Sequence, residues 1–135
     1  MSFKRNFVAF ASAVWGGASG RVSITVLGVD LSGADYDWSF ATSDGPTPVI
    51  TLEVAAAGSQ GISRTYDANI VHPLSGAVVG GTRIVPQIDE NTLEGLTFSG
   101  ASDLVLVHTL YETPAGGSKR VLCYGTFTVK QGAPN

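Results

Sequence analysis

Hydrophobic and polar residues alternate with a period of two over much of this chain. In residues 21–29, Val22, Ile24 and Val26 point one way and Ser23 and Thr25 the other, the pattern of a strand with one buried face. Similar β-rich runs cover residues 36–41, 49–55, 82–88, 104–111 and 120–129, each bounded by Gly, Pro, Asp or Ser. Strands at this spacing predict an all-β fold, an antiparallel β-sandwich of immunoglobulin-like or jelly-roll-like form. Leu104-Val105-Leu106-Val107 is apolar on both faces, which predicts a central strand covered on both sides and a core lying toward the C-terminal half. Pro86 interrupts its run, as expected at an edge or a bulge.

Turn chemistry marks the connections. Thr113-Pro114-Ala115-Gly116-Gly117-Ser118 joins two strong strand patterns, with Pro presetting a turn and glycines permitting positive φ, so a hairpin is expected there. Asp89-Glu90-Asn91-Thr92-Leu93-Glu94 is the one helical candidate, of one or two turns, with Asp89 as N-cap and Gly95 as terminator. Leu31-Ser32-Gly33-Ala34 returns as Leu74-Ser75-Gly76-Ala77 and nearly as Phe98-Ser99-Gly100-Ala101. The spacings are unequal and the flanks differ, so this is reused turn chemistry and not a repeat. Residues 55–62 and 76–81 are rich in small uncharged side chains and read as loops or close-packed contact surfaces.

A length of 135 residues fits one domain over 1–135 with a two-layer core. Phe3, Phe7, Phe10 and Trp15 make residues 1–20 too apolar to hang free, and predict an edge strand or an arm that docks on a partner. The apolar stretch 7–15 is short and leads into Trp15-Gly16-Gly17 rather than a clean small-residue cleavage site, so a secretory signal is not expected. No run approaches the ~20 apolar residues of a spanning helix. The expectation is a chain made in the cytoplasm, with no membrane partner.

Composition sharpens the picture. Hydrophobic residues are 44% and charged residues 14% of the chain, against about 25% charged in an ordinary soluble domain. A surface so poor in charge suits a subunit whose faces meet neighbours. The net charge is -3, and Lys4, Arg5, Arg21, Arg64, Arg83, Lys119, Arg120 and Lys130 are scattered, so nucleic acid is not an expected partner. The single Cys123 lies in an apolar β-like run and reads as a packed side chain, not a reactive thiol.

Candidate chemistry is thin. His72, before Pro73, belongs in a loop, while His108 shares a strand face with Leu104, Leu106 and Leu110 and reads as a satisfied core or interface residue. Neither has a second ligand at metal spacing. There is no G-x-S-x-G elbow and no phosphate-cradling glycine loop followed by Lys. Asp30, Asp35, Asp37, Glu53, Asp67, Asp89, Glu90, Glu94, Asp103 and Glu112 offer formal carboxylate pairs, but most sit in turn contexts where acids cap backbone amides. Asp30 and Asp35-Tyr36-Asp37 lack the spacing of an EF-hand calcium loop. Tyr36, Trp38 and Phe40 alternate along one strand face, as core residues do and as a sugar platform would. The reading assigns no catalytic, cofactor-binding or metal residue and no cofactor; the chain is expected not to be an enzyme.

Asp30-Leu31-Ser32-Gly33-Ala34 is followed by Ile88-Asp89-Glu90-Asn91-Thr92-Leu93-Glu94-Gly95-Leu96, then by Asp103-Leu104-Val105 and Gly116-Gly117. The ending Gly125-Thr126-Phe127-Thr128-Val129-Lys130-Gln131-Gly132 completes the order. In this order the phrases resemble the β-sandwich modules of tailed-phage structural proteins, such as those of baseplate and tail-fibre-attachment proteins. The similarity spans roughly residues 30–132 and carries over no catalytic residue; the stretch 59–81 is longer and richer in small residues than the pattern. It implies a virion component in the tail, baseplate, connector or fibre-attachment region. Its partners would be other virion proteins and copies of itself in a symmetric assembly. The rival expectations are a carbohydrate-binding sandwich using Tyr36, Trp38 and Phe40, a head-decoration protein, and a small sandwich enzyme with His72 or His108 beside two acids.

Overall fold

A computed structural model describes residues 2–11, 13–17, 22–42, 45, 47–96, 98 and 103–131. The strands are β1 (Phe3–Lys4), β2 (Phe7–Phe10), β3 (Trp15–Gly16), β4 (Ile24–Leu27), β5 (Asp35–Thr42), β6 (Ile50–Glu53), β7 (Gly61–Asp67), β8 (Gly81–Ile88), β9 (Leu104–Thr113) and β10 (Arg120–Lys130). One short helix, α1 (Glu90–Glu94), joins β8 to β9. Among the described residues, six strands form one sheet in the order β1/β2-β10-β9-β5-β6, and four form the other, with β8 between β7 and β3/β4. The fold is an all-β sandwich.

Lettered in the immunoglobulin convention, β4, β8 and β7 take the places of strands B, E and D, facing G, F, C and C′ in β10, β9, β5 and β6. This order makes the sandwich immunoglobulin-like. It is antiparallel except at one edge, where β1 and β2 run parallel to β10 in a single register, Phe3 opposite Cys123 and Phe7 opposite Phe127. The apolar N-terminal segment is thus an edge strand. At Arg5 and Asn6, between β1 and β2, the arm crosses Gly125, whose φ is +152°; a Cβ there would collide with the Arg5 carbonyl oxygen. Gly125 admits the arm.

Two aromatic strands make the core. Tyr36, Trp38 and Phe40 face inward from β5, and Phe127 from β10; Phe7 and Trp15 enter from the N-terminal segment. Edge-on ring contacts link Trp15 to Phe127 at 4.8 Å, Phe40 to Phe127 at 4.8 Å and Phe7 to Trp15 at 5.3 Å. In immunoglobulin domains the strand-C tryptophan packs on an inter-sheet disulfide. Here Trp38 packs on rings, since Cys123 is a lone, buried thiol. The core therefore draws on Phe7, Ala9, Trp15 and Ile24 as fully as on the C-terminal strands, and its expected bias toward the C-terminal half is corrected.

Two further expectations change. Leu106 is buried, but Val105 and Val107 face water, so β9 is covered on one side only: the alternation along an outer sheet face can be apolar without being covered. Pro86 lies in β8, a strand flanked on both sides, not at an edge. On the side facing the N-terminal strands, β4 pairs as far as Ile84 and β3 begins at Gln87. The Pro86 carbonyl approaches Gly16 on this side. A strand residue aims its carbonyl and its nitrogen the same way, so the missing N–H falls in that gap.

The local signals otherwise hold. Gly117 N–H bonds the Pro114 carbonyl at 2.9 Å in the β9–β10 hairpin, with Gly116 at φ +73°. Asp89 and Gly95 flank α1, though the Asp89 carboxylate accepts from the Gln87 amide and not from the helix. The tetrapeptides at 31–34 and 74–77 both sit in hydrogen-bonded turns; Ser99, Gly100 and Ala101 of the third, like Arg21, lie outside the described residues. The small-residue segment 55–62 is loop up to Gln60 and strand from Gly61.

Candidate functional site

The core strands place every ring of the proposed sugar platform inside. Tyr36, Trp38 and Phe40 are fully buried, and their alternation reflects the pleat of β5 turning one face to the opposite sheet. That face offers nothing to a glycan.

His108 sits in the same core. Its Nδ1 accepts the Trp38 indole N–H at 3.0 Å, and its Nε2 lies 2.6 Å from the Arg5 carbonyl oxygen. An indole nitrogen only donates, so Nδ1 is the acceptor and Nε2 carries the proton, donated to Arg5. Desolvation lowers the pKa of His108 below 6.5, opposed by the Arg5 hydrogen bond. The ring is a neutral fastener between β5, β9 and the N-terminal arm. His72 is elsewhere, in the β7–β8 loop, where Nδ1 accepts the Leu74 N–H at 3.1 Å. The two histidines do not share a site.

The acids divide in the same way. Asp30 accepts from the Ser32 hydroxyl and N–H, which lower its pKa in that order. Asp67 accepts the Asn69 N–H and pairs with Arg83, again lowering its pKa. Glu94 is raised by its hydrogen bond to Glu90 one helical turn away and by that residue's charge. Asp37 lies 3.6 Å from Lys119 on the surface. Among the described residues no three His, Cys, Asp or Glu side chains converge as a metal site would require. Burial pushes the Cys123 thiol up to about 11, leaving it protonated at neutral pH.

Glu112 is the buried acid that sequence reasoning grouped with the turn acids. It lies inside on β9, in one row with Tyr36 on β5 and Arg120 on β10. Tyr36 Oη donates to Oε2 at 2.8 Å, and Arg120 Nε donates to Oε1 at 2.9 Å. Burial and then the bond to Glu112 raise the Tyr36 pKa far above its ordinary value, so Tyr36 is a fixed donor. The cross-strand row is a clamp at the hairpin end of the larger sheet.

What remains open is a surface. On the outer face of the larger sheet, Val8 on β2 is 52% exposed, Val105 and Val107 on β9 are 51% and 43%, and Tyr124 on β10 is 43%. Strand pairing makes them neighbours: Val8 meets Thr128, Thr128 meets Val105, Thr126 meets Val107, and Tyr124 meets Thr109. On β5, Ala41 continues the Val107 row and Ser39 the Thr109 row. This central patch carries no charge. Phe10, 50% exposed, extends it to a groove of about 480 Å³ shared with Val14 and Trp15. The sequence did hold a signal for it, the doubly apolar run Leu104-Val105-Leu106-Val107, whose outer half belongs to the surface and not to the core.

A second groove, of about 190 Å³, lies beside Ser63, Thr65, Val85 and Gln87 on the smaller sheet, with no titratable residue in its lining. Among the described residues no helix is long and apolar enough to cross a membrane. No protein-family model matches the chain, and no curated protein matches it.

Proposed function

We propose that this chain is a non-enzymatic structural subunit that acts through protein–protein interfaces, in the tail, baseplate, connector or fibre-attachment region of a phage or phage-like particle. The observation that carries the interface reading is the uncharged outer face built by Val8, Val105, Val107, Tyr124 and their Thr, Ser and Ala neighbours. Interface cores are depleted of charge and enriched in aromatic and aliphatic contact, and a sheet face of this kind gains free energy when it is covered. Four of the groups that could do chemistry are engaged in the fold: His108 fastens strands, Glu112 is clamped, and Asp30 and Asp67 cap turns. The particle itself rests on the resemblance of residues 30–132 to tailed-phage sandwich modules.

The test is immunogold labelling of intact particles from a lysate of the source, using antibody to the purified chain. Gold at the tail or neck is the expected result. Gold on the head retains a virion role as a decoration protein and overturns the tail assignment. Unlabelled particles, with the chain recovered only as free protein, overturn the particle reading.

A further inference from the structure

We infer that the partner covering this outer face is a second copy of the same chain, docked face to face about a two-fold axis parallel to the strands. The inference rests on the interface reading above and names its occupant.

The argument begins with the distribution of charge. The β5–β6 side of the face ends in Asp37 opposite Glu53, with Lys119 paired to Asp37 at 3.6 Å, so Glu53 carries the acidic excess there. On the opposite side, Lys130 on β10 beside Phe10 is paired with Asp103 at 3.4 Å, so Lys4 on β1 beside Tyr124 carries the basic excess. Between them lies the neutral strip of Tyr124, Thr126, Val107, Thr109, Ser39 and Ala41. A self-complementary interface needs each copy to supply both halves of every contact.

A two-fold along the strands does this. With β9 central in the order β1/β2-β10-β9-β5-β6, the rotation lays β9 on β9, β5 on β10, and β6 on β1. Val107 then meets Val107 of the second copy, Ala41 meets Thr126, and Ser39 meets Tyr124. Lys4 then lies over Thr51, with Glu53 two residues, about 7 Å, farther along β6. The strands of the two sheets run aligned, the ordinary geometry for stacked sheets. An axis perpendicular to the strands would instead keep acids above the β5–β6 side and bases above the β1/β2 side, with no charge complementarity.

The area suffices. Four strands of about eight residues and the four-residue β6, at about 4.8 Å by 3.4 Å per residue, project to roughly 590 Å². Corrugated by side chains, this approaches the ~800 Å² that each partner contributes to a standard interface. Isolated surface ion pairs contribute little, so Glu53 and Lys4 set register, and the Val, Thr and Tyr strip supplies the affinity.

Sedimentation velocity of the full chain tests this, with near-UV circular dichroism of Trp15 and Trp38 verifying the fold of each variant. The wild type is expected to be a dimer at about 10 µM, within the affinity range of interfaces of this size. Val107→Lys, outward on β9, should raise the dissociation constant at least about tenfold by placing like charges together at the axis. Glu53→Lys and Lys4→Glu should each weaken the dimer at low salt, and the double reversal should restore it. A wild type that stays monomeric at about 100 µM, or a dimer indifferent to Val107→Lys, overturns the inference. Failures are separable: a monomer that is nevertheless found on particles sinks the second copy alone, while a face-to-face dimer absent from particles supports it and sinks the particle reading.

Discussion

Tyr36→Phe isolates the clamp that holds β5, β9 and β10 in register beneath the outer face. The substitution removes one oxygen and leaves Glu112 Oε2, fully buried, without its 2.8 Å donor. Hydrogen bonds to charged groups contribute about 1.5–3 kcal/mol, and the buried site has no water-facing alternative, so a loss of about 2 kcal/mol is expected. A chain of this length unfolds with an entropy near 0.28 kcal/mol/K, which converts that loss to a fall in Tm of about 7 °C. Arg120→Met should cost a similar amount, moderated because the Arg120 side chain is half exposed. Both donors serve one carboxylate, so the two losses should not add, with a coupling of at least about 0.5 kcal/mol. The combined Tyr36→Phe, Glu112→Leu, Arg120→Met variant removes the charge together with its partners and should recover most of the stability. Differential scanning calorimetry reads the wild type, both single variants, their double and the triple. A Tyr36→Phe midpoint within about 1 °C of wild type refutes the clamp.

The remaining predictions concern the core and the arm. Phe127→Ala empties the centre of the ring cluster formed with Trp15 and Phe40 and should cost about 3–5 kcal/mol in urea unfolding; a loss under about 1 kcal/mol contradicts that packing. His108 has a folded pKa below its unfolded value near 6.5, so below that pH the unfolded chain binds more protons, and stability falls as pH drops from about 6.5. Unfolding measured between pH 7.5 and about 5 should show this slope, and His108→Gln should flatten it; an unchanged slope contradicts the assignment. Gly125→Ala places a methyl against the Arg5 carbonyl and should free the N-terminal arm, seen as faster amide exchange at Arg5; exchange equal to wild type contradicts the close approach.

Much of the sandwich was legible because one-sided burial writes itself as alternation. Val22, Ile24 and Val26 all pack toward the core, as do Tyr36, Trp38 and Phe40. Other features left weaker marks. In β7 only Gly61 and Ile62 are buried, and Ser63 to Asp67 carry no apolar alternation to mark a strand, although this strand pairs with β8 over its full length. The parallel pairing of β2 with β10 joins residues about as far apart as the chain allows, and no local pattern encodes a partner at that distance. Glu112 lies within an exposed-looking Tyr-Glu-Thr stretch; its burial follows from Tyr36 and Arg120 being set beside it by two separate strand pairings. The outer face was misjudged for a different reason: Val105 and Val107 alternate with Leu104 and Leu106, and a strand apolar on both sides reads the same whether its second side meets the core or a neighbour.

The measurement that tests the account most directly is hydroxyl-radical footprinting of the dilute free chain against the chain within particles isolated from its source. Tyr124, Val105 and Val107 are expected to be readily oxidised in the free chain and protected in the particle, with Leu74, 91% exposed on the opposite sheet's loop, as the reference. Equal oxidation of Tyr124, Val105 and Val107 in both states would contradict the claim that this face is where the protein does its work.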